Sequence, residues 1–124
     1  MNPKICFIGA GNMATSLIGG IIAKRGGAAG IVACDIDTEQ LQSLQDRFGI
    51  EVSQDNLASA AGADVVMLAV KPQVMREVCT ALCDLPANPA QLFISVAAGV
   101  PAAAIDNWLG FRRQTARVNT DNED

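Results

Sequence analysis

The feature that most constrains the fold is a series of short apolar runs, none of which carries a polar face. These runs lie at residues 4–8, 31–34, 65–70 and 92–96, and a briefer extended piece lies at 50–52. Strands that are buried on both faces belong to parallel sheets covered by helices on each side. The runs therefore predict a parallel sheet between two helical layers as the core of the chain.

Segments with apolar residues at helical spacing separate the predicted strands. The first begins near Met13, the second follows Asp37 as its predicted N-cap, and a short one spans 56–61. Pro72 and Pro101 stand where two further helices begin. This alternation predicts a Rossmann-like α/β fold, in which a doubly wound, mainly parallel sheet has helices on both faces.

The domain organisation follows from the same pattern. A length of 124 residues suits one domain of ordinary size, and the alternation of strands and helices ends near residue 110. We therefore predict one domain over residues 1–110. Residues 111–124 have no apolar period and end in acidic residues, which predicts a frayed polar tail.

The composition excludes several classes of function. The chain has no histidine, which removes imidazole bases, Ser-His-Asp triads and histidine-containing zinc sites. Its net charge of −4 argues against nucleic acid or an anionic membrane as a partner. We expect no metal site and a small molecule as the partner.

The cysteines indicate the compartment. Cys6, Cys34, Cys79 and Cys83 form no Cys-x-x-Cys pair, so we expect reduced thiols and a cytoplasmic protein. A disulfide or metal at Cys79 and Cys83, four residues apart on a predicted helix, is the alternative. The uncharged stretch 5–23 could pass for a signal peptide or membrane span, but its glycines and polar residues favour a strand, a turn and a helix.

A glycine-rich turn follows the first predicted strand directly. Residues 9–14 read Gly9-Ala10-Gly11-Asn12-Met13-Ala14, which matches the pattern G-x-G-x-x-A between a strand and a helix. In that context Gly9 permits the tight turn, Gly11 lets a pyrophosphate approach the backbone, and Ala14 lets the helix pack closely. The start of the helix offers unpaired N–H groups to phosphates. A glycine turn that serves packing alone is the alternative.

Asp35 ends the second predicted strand, 24 residues beyond Gly11. A carboxylate at this place accepts hydrogen bonds from the adenosine ribose and repels a 2′-phosphate, so it favours NADH weakly over NADPH. The alternative is a solvated strand end.

The carboxyl ends of the other predicted strands should lie at the same edge of the sheet. They carry Val70-Lys71-Pro72 and Ala97-Ala98-Gly99, which are small, kinked or polar. Ligands of open parallel sheets bind beyond these ends. Residues 97–99 suit a floor for a flat nicotinamide ring. Lys71 could hold a cofactor hydroxyl or act as an acid, or it could be a solvated lysine before a helix.

Three segments together resemble the N-terminal half of pyrroline-5-carboxylate reductase. They are residues 8–14 (Ile-Gly-Ala-Gly-Asn-Met-Ala), 63–73 (Ala-Asp-Val-Val-Met-Leu-Ala-Val-Lys-Pro-Gln) and 94–101 (Ile-Ser-Val-Ala-Ala-Gly-Val-Pro). The resemblance covers about residues 3–110. It implies reduction of the imine of 1-pyrroline-5-carboxylate, a cyclic imino acid, to proline by hydride from NADPH or NADH.

The resemblance also assigns binding residues. It implies that the pyrophosphate contacts Gly9, Gly11, Asn12 and Met13. Asn56 would contact the adenosine, the nicotinamide ribose would lie by Ala69, Val70, Lys71 and Pro72, and the nicotinamide by Ala97, Ala98 and Gly99. No catalytic residue is assigned.

The resemblance ends before the family's C-terminal helical domain, which builds the dimer and completes the substrate pocket. Where the family has Met-Pro-Asn-Thr-Pro, residues 117–124 read Arg-Val-Asn-Thr-Asp-Asn-Glu-Asp. We expect that domain to be absent, so the chain supplies the cofactor-binding domain and is poorly active alone, whereas a complete member is a homo-oligomer. The alternatives are a stand-alone, non-catalytic nucleotide-binding or interaction module, and another imine or carbonyl dehydrogenase of the same fold.

Overall fold

The computed structural model describes residues 2–86, 88–97, 99–110 and 114–117. Strands and helices alternate along this part of the chain. The strands are β1 (Ile5–Ile8), β2 (Ile31–Cys34), β3 (Glu51–Ser53), β4 (Val65–Leu68), β5 (Leu92–Ser95) and β6 (Gln114–Arg117). The helices are α1 (Asn12–Arg25), α2 (Thr38–Phe48), α3 (Asn56–Ala61), α4 (Pro72–Leu82) and α5 (Ala102–Trp108).

The strands form one sheet in the order β3-β2-β1-β4-β5-β6, and each neighbouring pair is parallel. Ile5 of β1 lies opposite both Ile31 of β2 and Val65 of β4. The chain therefore builds outward from β1 to β3 and then returns to the other side of β1 with β4. The reversal between β1 and β4 is a topological switch point, and the predicted Rossmann-like fold is confirmed.

Each face of the sheet buries a separate apolar core. Alternate residues of one strand point to opposite faces, so Cys6 and Ile8 belong to one core and Ile5 and Phe7 to the other. The first core is completed by α3, α4 and α5, chiefly through Ala60, Met75, Cys79, Leu82 and Ile105. The second is completed by α1 and α2, chiefly through Ala14, Ile18, Leu41 and Leu44.

Most predicted boundaries agree with the structure to within two residues. Asp37 caps α2 as predicted: its Oδ1 accepts the backbone N–H groups of Glu39 and Gln40, both at 3.1 Å. β4 ends at Leu68 rather than at Val70, because the chain leaves the strand to form the loop beside β1. No helix in the described part of the chain has both the length and the apolar character needed to cross a bilayer.

The polar segment after residue 110 departs from its prediction. Residues Gln114–Arg117 were expected to fray with the rest of 111–124, and for these four residues the prediction is wrong: they form β6, with Gln114 opposite Leu92 of β5. Backbone hydrogen bonds to an open strand edge need no apolar side chains, so no apolar period marks such a strand. The sheet thus extends beyond the predicted domain boundary at 110. Residues 111–113 and 118–124 lie outside the described residues.

Candidate functional site

The turn between β1 and α1 requires a glycine at its first position. Gly9 has φ +108°, in the left-handed region that side chains disfavour. A Cβ at Gly9 would lie 2.5 Å from the carbonyl oxygen of Ala69 and 3.2 Å from Val70 Cγ1. The turn therefore packs its backbone directly against the β4–α4 loop, and the two loops meet at the switch point of the sheet.

Gly11 begins α1 and faces open space. Its backbone is extended, and no heavy atom lies within 4 Å of the place where a Cβ would stand. No side chain caps α1 and its first turn holds no acidic residue. The carbonyl of Gly11 accepts from both the N–H and the hydroxyl of Thr15, at 2.9 and 2.8 Å. The first turn of α1 is thus held by hydrogen bonds within the helix. Its first N–H groups have no side-chain acceptor and are open to a partner.

Asp35 connects the glycine turn to the start of α2. Its Oδ2 accepts the backbone N–H of Ala10 at 2.8 Å, and its Oδ1 accepts the N–H of Asp37 at 3.0 Å. Each carboxylate oxygen keeps a further lone pair for another donor. Asp35 is therefore a fixed, anionic acceptor beside the glycine turn rather than a side chain held by solvent alone. The N–H of Ala10 already donates to Asp35. The backbone N–H donors for a phosphate must therefore come from residues after Ala10.

Lys71 and Pro72 begin α4 at the same edge. Lys71 occupies the N-cap position and Pro72 the first helical position, and no side chain caps this helix. Both side chains are exposed, whereas Ala69 and Val70 are half-buried against the Gly9 turn. The structure thus brings Ala69 and Val70 into contact with the glycine turn and leaves Lys71 and Pro72 at the rim.

The segment after β5 lies beside the β4 end of the sheet. The N–H of Val96 donates to the carbonyl of Leu68 at 3.1 Å, and the N–H of Ala97 donates to Ser95 Oγ at 3.2 Å. Gly99 has φ +80° and open space around the position of a Cβ. Ala97 and Gly99 therefore lie at the predicted edge, and Ala98 lies outside the described residues.

Asn56 belongs to the outer part of this edge. It is the first residue of α3, which Asp55 caps by accepting the N–H of Ala58 at 3.0 Å. The preceding loop approaches β2, since Gln54 Nε2 donates to the carbonyl of Ile36 at 3.3 Å. Asn56 thus begins the helix that follows this loop, and no contact described joins it to the glycine turn.

Ile36 is a candidate residue that sequence reasoning missed. It follows Asp35 directly, and 88% of its side chain is exposed. An isoleucine this exposed, beside a fixed carboxylate, offers an apolar surface for a flat ring. The available signal was its place: an aliphatic residue in the loop directly after the predicted ribose-binding acid.

Sequence comparison places the chain among nucleotide-dependent oxidoreductases. Residues 4–99 match the family described as NADP oxidoreductase, coenzyme F420-dependent. A pyrroline-5-carboxylate reductase of Pseudomonas aeruginosa is 50% identical over 116 residues, which cover 93% of this chain and 42% of that protein. The chain therefore spans less than half the length of this relative.

Solved structures of two reductases share the fold of this chain. A pyrroline-5-carboxylate reductase of Coxiella burnetii superposes with a TM-score of 0.89 at 35% identity, over 99% of this chain and 46% of that one. A pyrroline carboxylate reductase of Plasmodium falciparum, solved with NADP bound, has a TM-score of 0.75 at 20% identity, over 92% of this chain and 40% of that one. At that identity the second likeness shows the fold alone.

Proposed function

Since the chain belongs to the family of coenzyme F420-dependent NADP oxidoreductases, we propose that it is the cofactor-binding part of a pyrroline-5-carboxylate reductase. The activity of the whole enzyme would be reduction of the imine of 1-pyrroline-5-carboxylate to proline, the last step of proline biosynthesis. The 50% identity to a reductase of that name supports this substrate. When bound, NADPH or NADH supplies the hydride.

One observation carries the proposal: the open start of α1 directly after the Gly9 turn, at the switch point of the sheet. The open space around Gly11 leaves room for a diphosphate where a side chain would fill it. The first N–H groups of α1 have no side-chain cap and would donate to the phosphate oxygens. The residues present therefore fit a dinucleotide, with Asn12 and Met13 at the pyrophosphate.

The remaining contacts of the cofactor follow the edge of the sheet in both directions. On the adenosine side we place Asp35 at the ribose, with Ile36 and Asn56 near the base. On the nicotinamide side we place the loop of Ala69, Val70, Lys71 and Pro72 at the ribose, and Ala97, Ala98 and Gly99 at the ring. These residues would bind and orient the cofactor so that one face of the ring stays open to the substrate.

The substrate pocket and the oligomer are proposed for the complete enzyme. The relatives extend well beyond the length that this chain spans, and 42% of the Pseudomonas aeruginosa protein is covered. The cyclic imino acid would bind between the nicotinamide edge described here and the part that lies beyond this length, and a complete member would be a homo-oligomer. We propose a cytoplasmic location, since the four cysteines are free thiols.

The direct test is a titration of the purified chain with NADPH and with NADH, in which the fluorescence of the cofactor reports binding. Saturable binding of either cofactor is expected, and Gly11→Val should abolish it by filling the space beside the helix start. Gly20→Val is the matched control, because Gly20 is an exposed residue of the same helix with no heavy atom within 4 Å of its Cβ position. Failure of both cofactors to bind, or equal loss in both variants, would overturn the proposal.

A second measurement separates the enzyme from a stand-alone binding module. The chain is mixed with a separately expressed C-terminal part of a relative, and imine reduction is followed by the loss of NADPH absorbance. Activity that appears only in the mixture supports a cofactor-binding part of a reductase. Cofactor binding without activity in any mixture supports the non-catalytic module.

A further inference from the structure

Two buried thiols lie side by side directly behind the candidate site. Cys6 of β1 and Cys34 of β2 point to the same face of the sheet, and their sulfur atoms are 3.9 Å apart. Both residues are fully buried free cysteines. We refer to Cys6 and Cys34 as the thiol pair. Neither residue has a part in the proposed binding of the cofactor.

The surroundings make the two sulfur atoms unequal. A hydrogen bond from the Cys6 thiol lowers the pKa of Cys34, and the Ser59 hydroxyl adds a second, smaller lowering. Burial and the carboxylates of Asp55 and Asp35 act in the opposite direction on Cys34. The pKa of Cys6 is raised, first because its proton is held by Cys34 and then because the thiol is buried. The pKa of Cys34 is thus lowered and that of Cys6 raised, which favours Cys34 as the nucleophile of the pair.

A cavity lies next to the apolar core that holds this pair. It has a volume of about 490 Å³ and lies at the amino ends of the strands, on the opposite edge from the glycine turn. Ser59, whose hydroxyl lowers the pKa of Cys34, lines it together with Val32 of the same strand as Cys34. The other lining residues are Lys4, Ile5, Gly30, Ile31, Glu51, Ala58, Gly62 and Ala63. The cavity therefore lies against a direct neighbour of the thiol pair, since Val32 stands opposite Cys6 in the sheet.

We propose that the thiol pair is an oxidation site at which a small hydroperoxide converts Cys6 and Cys34 into a disulfide. The Cys34 thiolate attacks one peroxide oxygen, the O–O bond breaks, and a sulfenic acid forms as the other oxygen leaves as water or alcohol. The sulfur of Cys6 then attacks the sulfur of Cys34, the S–O bond breaks, and water leaves. Two thiols and one hydroperoxide thus give one disulfide, one water and one water or alcohol, and the peroxide is the oxidant.

The disulfide would move the end of β2. Cys6 lies opposite Val32, so Cys34 is displaced along the neighbouring strand by two residues. Strand spacing and rise place such Cα atoms about 8 Å apart, beyond the roughly 4.4–6.8 Å that disulfides span. Cys34 therefore has to shift when the bond forms, and Asp35, which holds the Ala10 and Asp37 amides, shifts with it. A consequence for cofactor affinity rests on the proposed function, whereas the disulfide itself does not.

The test treats the purified chain with hydrogen peroxide and measures intact mass, free thiols and linked peptides. The expected product has lost two hydrogen atoms and two of its four thiols, its peptide map links Cys6 to Cys34, and dithiothreitol reverses the change. Cys6→Ala and Cys34→Ala should each prevent the link. Ser59→Ala should slow it, and Cys83→Ala is the matched control that leaves it unchanged.

Each other outcome decides against the proposal. A link between Cys79 and Cys83, or oxygen added at the half-buried Cys83 with the thiol pair intact, would overturn it. Sulfinic acid at Cys34 without a link would overturn the role of Cys6. If Cys34→Ala does not fold, Cys6→Ala and Ser59→Ala still carry the test. NADPH titration of the oxidised chain then measures the consequence separately: unchanged affinity contradicts the shift of Asp35 and leaves the disulfide established.

Discussion

Two helices of this chain begin at the same edge of the sheet, and they complete their first turns in opposite ways. At the start of α2, Asp37 accepts the N–H groups of Glu39 and Gln40, and Glu39 adds a negative charge to the first turn. At the start of α1, Gly11 supplies no cap and the first turn holds no acidic residue. Since N–H groups at a helix start need acceptors, α2 satisfies its own and α1 leaves them for a partner. Under the proposed function, the difference separates a structural helix start from one that binds a phosphate.

The absence of a side-chain cap lowers the stability of α1, and the packing of the helix has to offset this loss. An N-cap side chain contributes about 1 kcal/mol to stability, although a glycine there costs only a few tenths relative to the best caps. α1 compensates with Ala14 and Ile18, which are fully buried against the sheet, and with the bonds of Thr15 to Gly11. An open helix start is therefore stable here because the rest of the helix is anchored.

The largest expected effect comes from a substitution in the turn that leads into α1. Gly9→Ala should lower the free energy of unfolding by about 3 kcal/mol, because it combines a left-handed backbone with an overlap with Ala69. Urea unfolding measures this loss. The matched control is Gly49→Ala, at φ +73° with open space around its Cβ, which should cost about 1 kcal/mol. Equal losses in the two variants would show that the contact with Ala69 has no energetic weight.

A second substitution gives α1 a capped start like that of α2. Gly11→Asp supplies a capping carboxylate, so stability should stay the same or rise slightly, while affinity for NADPH should fall at least about tenfold, or 1.4 kcal/mol. Paired urea unfolding and fluorescence titration measure the two quantities. Gly11→Asn provides a neutral cap of the same size and separates the effect of charge from that of volume. Retained affinity in both variants would contradict an anion site at α1.

The reverse change opens the start of α2. Asp37→Ala removes the acceptor of two backbone N–H groups and should lower the free energy of unfolding by about 1 kcal/mol. Affinity for NADPH should not change, because the Asp37 side chain caps its own helix and is not among the residues placed at the cofactor. Both are measured as for the Gly11 variants. A loss of affinity larger than the loss of stability would mean that α2 also takes part in binding.

The smallest expected effect concerns the choice of cofactor. Asp35→Ser removes the negative charge that would repel a 2′-phosphate, so the affinity for NADPH relative to NADH should rise about threefold, or roughly 0.7 kcal/mol. Titration with both cofactors gives the ratio and cancels any general loss of binding. Glu51→Ser, which removes an exposed carboxylate at the opposite edge, is the control. An unchanged ratio for Asp35→Ser would show that its role is to hold the two turns.

The sequence was sufficient for the features that local chemistry decides. Apolar runs located the strands, Asp37 located a cap, and the glycine pattern located the turn at the switch point, since each depends on residues near in sequence. The sequence did not predict contacts between backbone segments that are far apart along the chain. β6 joins the sheet through backbone hydrogen bonds, and the Asp35–Ala10 bond depends on the pairing of β1 with β2.

The same limit applies to side chains. The proximity of Cys6 and Cys34 depends on the register of two strands, which a sequence pattern of apolar residues does not specify. The exposure of Ile36 likewise required the course of the loop after β2. The binding roles of the site residues, from the glycine turn to Asn56, Lys71 and Gly99, stay predictions, because no contact among the described residues tests them.

The contact between Gly9 and Ala69 has a consequence for building chimaeras from this fold. It joins the loop of the first β-α unit to the loop that opens the second half of the sheet, with no room between them for even one added carbon atom. Exchanging either half with that of a related dehydrogenase would set two independently shaped loops against each other. Such a hybrid should fold only when both loops are transplanted together from one parent.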